Sequence, residues 1–391
     1  MRFDFIPFFN PGDNLPWDQI IAMYREQTQI AEQGGFTTVW VTEHHFAHDG
    51  YLNATPNPIL MCADLAAHFK NIRVGQAPVV LTDWHPLRVA EDIAMLDNMT
   101  NGRVDFGVAK GVNERQTIQF NINADRRDNE KCFALYRESL DIILKAWTED
   151  PFTYKGEFYQ FPVPGWHETN KALMPHDPRY IAEDGEYIAM HVHPRPYQQP
   201  HPPVWLLSNA PSTYDFAGSQ GYNVIGMASP PGRTRECWSA YSNALAKRES
   251  REVALGEGVA ACTQIYVADT MEEAIETVRP ATNIIYEFMN GARPAGEWQR
   301  KVYLDEGHEL TSADRDSDWF DFLHGKGIVW AGTADYVAEK IHEAQLVNGL
   351  DHLILLQNFA GVPYEKIRAS MAKFAERVVP RFGTLPRMTT K

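Results

Sequence analysis

Glu43, His44 and His45 stand in a row directly after the apolar run Thr38-Val39-Trp40-Val41. A carboxylate beside two imidazoles is a cluster for moving protons, because histidine is the side chain whose unperturbed pKa lies nearest neutrality. If the apolar run is a buried strand, the cluster emerges at its carboxyl end, where a (β/α) barrel presents its catalytic side chains. The competing reading is a pair of hydrogen-bonded histidines at a strand edge. The rest of the chain has to decide between them.

A second candidate is Asn209-Ala210-Pro211-Ser212-Thr213, which follows the strand-like Val204-Trp205-Leu206-Leu207 and opens a helix. Hydroxyls and free N–H groups at a helix start make an anion site, reinforced by the helix dipole. His191-Val192-His193 could set two imidazoles on one face of a strand. No third or fourth ligand lies nearby in sequence, so a structural or surface role is preferred to a metal site. The cysteines, Cys62, Cys132, Cys237 and Cys262, lack CxxC or other metal-ligand spacing and fit a reducing compartment better than a disulfide framework. No metal site is read from this chain. Neither GxGxxG nor GxxxxGK[ST] is present, which removes the main dinucleotide and nucleoside triphosphate motifs, and no nucleophile elbow points to a hydrolase.

The elements that must position these residues alternate along the chain. An opening strand at Arg2–Phe9 precedes a helix from Trp17 to Gly34-Gly35, whose glycines suit a left-handed cap. After the Thr38–Val41 strand come a helix over Pro58–Lys70, a third strand over Ile72–Leu81, and a helix opened by Pro86 and closed by Asn101-Gly102. Strand four, Arg103–Ala109, runs into Lys110-Gly111. The next helix carries a stripe at Phe133, Tyr136, Leu140, Ile143 and Trp147, which lays it against a sheet. Four βα units predict a parallel sheet with right-handed crossovers, open or closed. Strands follow at 204–207, 224–227, 258–267 and 352–356, with helices at 212–221, 234–250, from 271 onward, at 334–347 behind the Thr333 cap, and at 364–378. Eight strands favour closure. The fold expected is an α/β (β/α)8 TIM barrel forming a single domain over 1–391.

Two stretches interrupt the pattern. Residues 156–203, after strand four, are rich in Pro, His, Tyr and Gly and read as a pair of extended segments or a long loop over one end of the barrel. Residues 290–327, between strands seven and eight, read either as a mobile loop that closes the mouth or as a solvated excursion. A net charge of -15 argues against a nucleic-acid partner, which would need a basic face. The start of the chain lacks the features of a signal peptide and no apolar run spans a bilayer, so a cytoplasmic protein with no membrane partner is expected.

Thr42-Glu43-His44-His45-Phe46, His85-Pro86-Leu87-Arg88-Val89-Ala90-Glu91-Asp92, Leu96-Asp97 through Gly102-Arg103, and Gly107-Val108-Ala109-Lys110-Gly111 occur in the order seen in bacterial luciferase-like flavin monooxygenases. The chain resembles that family over almost its whole length, with Gly332-Thr333 and the His352 strand matching its last βα segment. The resemblance implies reduced FMN delivered by a separate NAD(P)H:flavin reductase, O2 captured as a flavin C4a-hydroperoxide, and transfer of one oxygen to a small organic substrate. It implies that His44 is the catalytic histidine, with Glu43 and His45 orienting it and lining the flavin pocket. It gives Lys110 to the FMN phosphate as a point charge, alongside Asn209, Ala210, Ser212 and Thr213. It also implies an unusual cis peptide against the flavin ring, at Ala77-Pro78 here, where proline lowers the cost of cis to roughly 0.5–1 kcal/mol. A homodimer is implied as well.

The sequence departs from the luciferases at Ala109, where they have cysteine, at Lys110, where they have arginine, and at Asn209, where they have glutamate. Light emission and a long-chain aldehyde are therefore in doubt, while aldehyde, ketone or aromatic oxygenation stays open. Phe8, Trp84 and Trp330 point to an apolar or aromatic substrate at the mouth. Two rivals share the barrel: a deazaflavin-dependent dehydrogenase or reductase using hydride chemistry, and a non-catalytic flavin-binding protein.

Overall fold

A computed structural model of the protein describes residues 1–7, 15–46, 55–112, 114–170, 177–227, 229–291, 298–301, 303–305 and 307–383. Its strands are β1 (Arg2–Ile6), β2 (Thr38–Val41), β3 (Arg73–Gln76), β4 (Val79–Val80), β5 (Val104–Ala109), β6 (Tyr154–Lys155), β7 (Gln160–Phe161), β8 (Val204–Leu207), β9 (Asn223–Met227), β10 (Val259–Val267), β11 (Val329–Gly332) and β12 (His352–Leu356). The fold is a closed eight-stranded parallel barrel surrounded by helices, the α/β TIM-barrel class expected from the alternation. Its chain divides into two compact units, residues 1–78 with 204–391, and residues 79–203.

In the larger unit all ladders are parallel. Residues of β1 from Arg2 to Ile6 pair with β12 from His352 to Leu356, and β2 pairs with β3 from Thr38↔Arg73 to Val41↔Gln76. The long β10 pairs with β9 at Val259–Cys262, with β12 at Ala261–Gln264 and with β11 at Gln264–Val267. Ile6, Trp40, Ala77, Trp205, Ile225, Cys262 and Ile354 form one buried cluster. Within it the Trp40 and Trp205 rings meet edge to face at 5.4 Å, a favoured aromatic geometry. Gly75 of β3 makes room for this, because a Cβ there would lie 2.4 Å from the Trp40 ring.

The amino ends of β1, β2 and β12 share a polar knot that sequence spacing did not reveal. Asp4, fully buried, accepts from Trp40 Nε1 at 2.8 Å, His352 Nε2 at 2.7 Å, the Thr38 N–H at 3.0 Å and Arg2 at 3.1 Å. Burial alone pushes this carboxyl up, but Arg2 and His352 outweigh it and hold it well below the usual carboxylate range. Every oxygen lone pair is used, which is what a buried charge requires.

The smaller unit holds the β4–β5 pair, the antiparallel β6–β7 hairpin and the helix Asn129–Thr148. Glu138 of that helix accepts the backbone N–H groups of Glu157, Phe158 and Tyr159 at 2.8–3.2 Å and so pins the hairpin. Within 156–203 the described residues hold the hairpin strand Gln160–Phe161 and isolated bridges at Phe152↔Met190, His167↔Glu186 and Ile181↔Tyr187, and are otherwise turns and irregular chain; residues 171–176 lie outside the described set.

Three expectations need correction. The third strand is not continuous from Ile72 to Leu81: it stops at Gln76 and resumes as Val79–Val80, with a cis Ala77-Pro78 bond between. An additional strand, β11, and an additional helix, Glu114–Phe120, were not expected. The 290–327 stretch, read as a loop closing the mouth or as a solvated excursion, is partly helical where it is described: Ser312–Asp316 buries none of its residues, while Trp319–Gly325 is anchored in the core. Helices Ser312–Asp316 and Trp319–Gly325 occupy it, with Phe320, Phe322 and Leu323 buried against Val278, Ala281 and Val329. Asn283 Oδ1 accepts the Phe320 N–H at 2.8 Å, and Arg279 bonds Asp318 at 2.9 Å, which ties the segment to the helix Met271–Gly291. Residues 292–297, 302 and 306 lie outside the described set.

Candidate active site

Strand β2 ends at Val41, and the chain stays without regular structure through His45. Residues two apart in an extended chain share a face. Glu43 and His45 do so here, and His45 Nε2 lies 2.8 Å from Glu43 Oε1. Glu43 is 2 % exposed and the His45 side chain 12 %, so the pair is almost closed to water. The low local dielectric strengthens such a contact. His44, between them, donates its backbone N–H to the Thr55 carbonyl at 3.1 Å, and Thr55 Oγ1 meets Tyr24 Oη at 2.7 Å. Burial pushes the Tyr24 phenol well above its ordinary pKa, so it stays a neutral hydroxyl. Neither Thr55 nor Tyr24 was anticipated; the helix that carries Tyr24 signals only an apolar face.

Ala77 donates its N–H to the Val41 carbonyl at 2.8 Å. The Ala77-Pro78 bond, cis as expected, therefore lies alongside the end of β2, and Ala77 is packed in the cluster with Trp40 and Trp205. The structure so brings Glu43, His45 and Ala77 together in one unit.

In the smaller unit, Lys110 Nζ donates to Asn129 Oδ1 at 2.5 Å and lies 5.4 Å from the centre of the Phe133 ring. Burial and then the neighbouring Arg126 charge draw the Lys110 ammonium below the ordinary lysine value. Arg126 bonds the Gly111 carbonyl at 2.5 Å, and Thr82 Oγ1 bonds that of Lys110 at 3.0 Å. Gly111 has φ +86, and a Cβ there would stand 2.8 Å from Val80 and 2.9 Å from Thr117, so the backbone of this cationic loop turns where only glycine fits. Arg126 escaped notice because it lies in a turn with no periodic signal.

The 209–213 stretch opens the helix Pro211–Gln220 as expected. No side chain caps it, and Ser212 is exposed. Asn209 Oδ1 instead accepts the Met227 N–H at 2.8 Å, which turns this amide toward β9. The Ala210 N–H is held by Ser208 Oγ at 3.1 Å.

Other candidates fall elsewhere. His191 and His193 stack at 5.7 Å, with His191 Nδ1 3.1 Å from Asp150, a surface arrangement. Trp330 sits on β11 with its Nε1 bonded to the Gly327 carbonyl at 2.8 Å. Phe8 lies outside the described residues. Among the described residues no helix is long and apolar enough to cross a membrane.

The model of the luciferase-like monooxygenase family matches residues 1–349. Over 392 residues the chain is 25 % identical to the oxygenase component of the flavin-dependent trigonelline monooxygenase of Acinetobacter baylyi, covering 98 % of this chain and 96 % of that protein. Two solved structures share its fold. One is the oxygenating constituent of 3,6-diketocamphane monooxygenase from Pseudomonas putida, a type II Baeyer–Villiger monooxygenase in complex with FMN. It is 22 % identical with a TM-score of 0.72, covering 97 % of this chain and 98 % of that one. The other is the coenzyme F420 dependent tetrahydromethanopterin reductase from Methanopyrus kandleri, 18 % identical with a TM-score of 0.62, covering 98 % and 99 %. The chain belongs to the luciferase-like monooxygenase family, flavin-dependent oxidoreductases that act with incorporation of molecular oxygen.

Proposed function

We propose that this protein is the oxygenase component of a two-component system, taking reduced FMN from a separate NAD(P)H:flavin reductase and placing one oxygen of O2 on a small aldehyde, ketone or aromatic substrate. The observation that carries the reading is the buried Glu43 carboxyl holding the His45 ring at 2.8 Å just past Val41, whose carbonyl accepts from the Ala77 N–H. The full-length relative described as an oxygenase component supports the division of labour.

The residues present fit FMN. Within the smaller unit Lys110 and Arg126, at a glycine-dependent turn, offer positive charge for a phosphate; taken by itself, the uncapped start of Pro211–Gln220 in the larger unit, with Ser212 and Thr213, is an alternative phosphate site of N–H and hydroxyl donors. Ala77 and Pro78 would support the ring from the end of β3. Bound reduced FMN supplies the electrons that make O2 reactive. Glu43, buried, fixes the His45 ring through one nitrogen, so its other nitrogen has a set direction. His44, held at its backbone by Thr55, manages the proton exchanged with the reacting oxygen.

The second reading, a hydride-transferring enzyme on a deazaflavin, draws on the fold likeness to the F420 dependent reductase. Equilibrium binding of reduced FMN and of reduced F420, combined with oxygen uptake, separates the two. FMN binding with O2 consumption supports the oxygenase; F420 binding with no O2 uptake supports hydride transfer.

A further inference from the structure

The larger unit contains a cavity of about 300 Å³ apart from the Glu43–His45 cluster. Its walls include Ala261 and Thr263 of β10, Cys237 and Trp238 of the helix Pro231–Glu249, Trp330 of β11, and Asn348. Ala261 and Thr263 alternate with Cys262, which belongs to the barrel's inner cluster, so the cavity lies on the outer side of the strand, under the helices.

Asn348 carries the argument. It is 5 % exposed, and its Nδ2 donates to the Pro231 carbonyl at 3.2 Å. A carbonyl can only accept, so this bond fixes which end of the amide is which. The Oδ1 is then a buried acceptor that no atom of the described residues satisfies. Such an atom has given up its water without return, and a ligand that reaches it must bring a donor. The charged groups at the rim call for no ionic ligand. Lys340 is paired with Glu343 at 2.8 Å, and Lys326 with Asp314 at 3.0 Å. Trp238 and Trp330 offer flat apolar surface, and an apolar cavity of about 150 Å³ already accepts benzene.

We propose that this cavity is a binding site for a neutral, flat aromatic molecule of one or two rings bearing a single hydrogen-bond donor that meets Asn348 Oδ1. Glu43 and His45 are not among its walls, Asn209 lines it, and its occupancy does not depend on the oxygenase reading.

Isothermal titration of the full chain, without flavin, with indole and with its donor-free isostere benzofuran tests this. Saturable indole binding about tenfold tighter than benzofuran is expected, as for one neutral hydrogen bond. In Asn348→Leu the difference between the two probes disappears, and in Ala261→Phe, which fills the space, neither binds. Absence of saturable indole binding, or equal affinity for the two probes, overturns the proposal. So does unchanged binding in Ala261→Phe that melts like the parent. The comparison of the two probes on the unmodified protein stands whether or not either variant folds.

Discussion

The Glu43 carboxylate and the His45 ring, two residues apart at the end of β2, meet at 2.8 Å. If the pair acts as one unit in proton management, removing either half should cost nearly what removing both costs. Glu43→Gln and His45→Gln are each expected to lower oxygenation by roughly 10²-fold, the low end for general acid–base catalysis. The double variant should fall little further. Losses that multiply in the double variant would show two independent roles.

Lys110 is expected to recognise phosphate and not the ring. Lys110→Met should weaken FMN by about tenfold, the order of one charge-assisted bond, and leave riboflavin unchanged. Fluorescence quenching of each flavin reads this directly. Because burial and Arg126 lower the Lys110 pKa, its charge is lost at a lower pH than an ordinary lysine's. The preference for FMN over riboflavin should therefore decline as pH rises, before about 10.4. Ser212→Ala measured the same way assesses the helix start. Equal weakening of FMN and riboflavin in Lys110→Met would assign the residue to folding.

Asp4 should matter for stability and not for chemistry, since its partners Arg2, Thr38 and His352 are the first residues of β1, β2 and β12. Asp4→Ala leaves Arg2 and His352 without their counter-charge and is expected to destabilise by about 3–5 kcal/mol in urea unfolding. The folded carboxyl binds its proton less readily than the unfolded one. Its contribution is complete above the unfolded value of about 3.9 and is lost as pH falls toward the depressed folded value. An acid unfolding midpoint that is unmoved in the variant would contradict this.

The barrel was legible because its signals are local. The run Thr38–Val41 is a buried strand with the bounds its apolar residues mark, and Thr333 caps its helix through the Tyr336 N–H as its residue type predicts. Glu43 and His45 were legible as a pair, but their mutual hydrogen bond needed an extended backbone that sequence only implies. The Asp4 knot joins positions 2, 4, 38, 40 and 352, whose proximity exists only after the sheet closes. β11 was missed because Val329–Gly332 is four residues long and lies directly behind a glycine-bounded turn. The helix Trp319–Gly325 was missed because its burial depends on partners forty residues earlier, such as Arg279 and Asn283.

The most direct measurement mixes the protein, loaded anaerobically with reduced FMN, against oxygenated buffer and follows flavin absorbance. Reoxidation slower than that of free reduced FMN, with the slow phase lost in His44→Ala while FMN affinity is kept, is the predicted result. Reoxidation at the rate of free flavin, unaffected by His44→Ala, would contradict the claim that the end of β2 controls the reaction with oxygen.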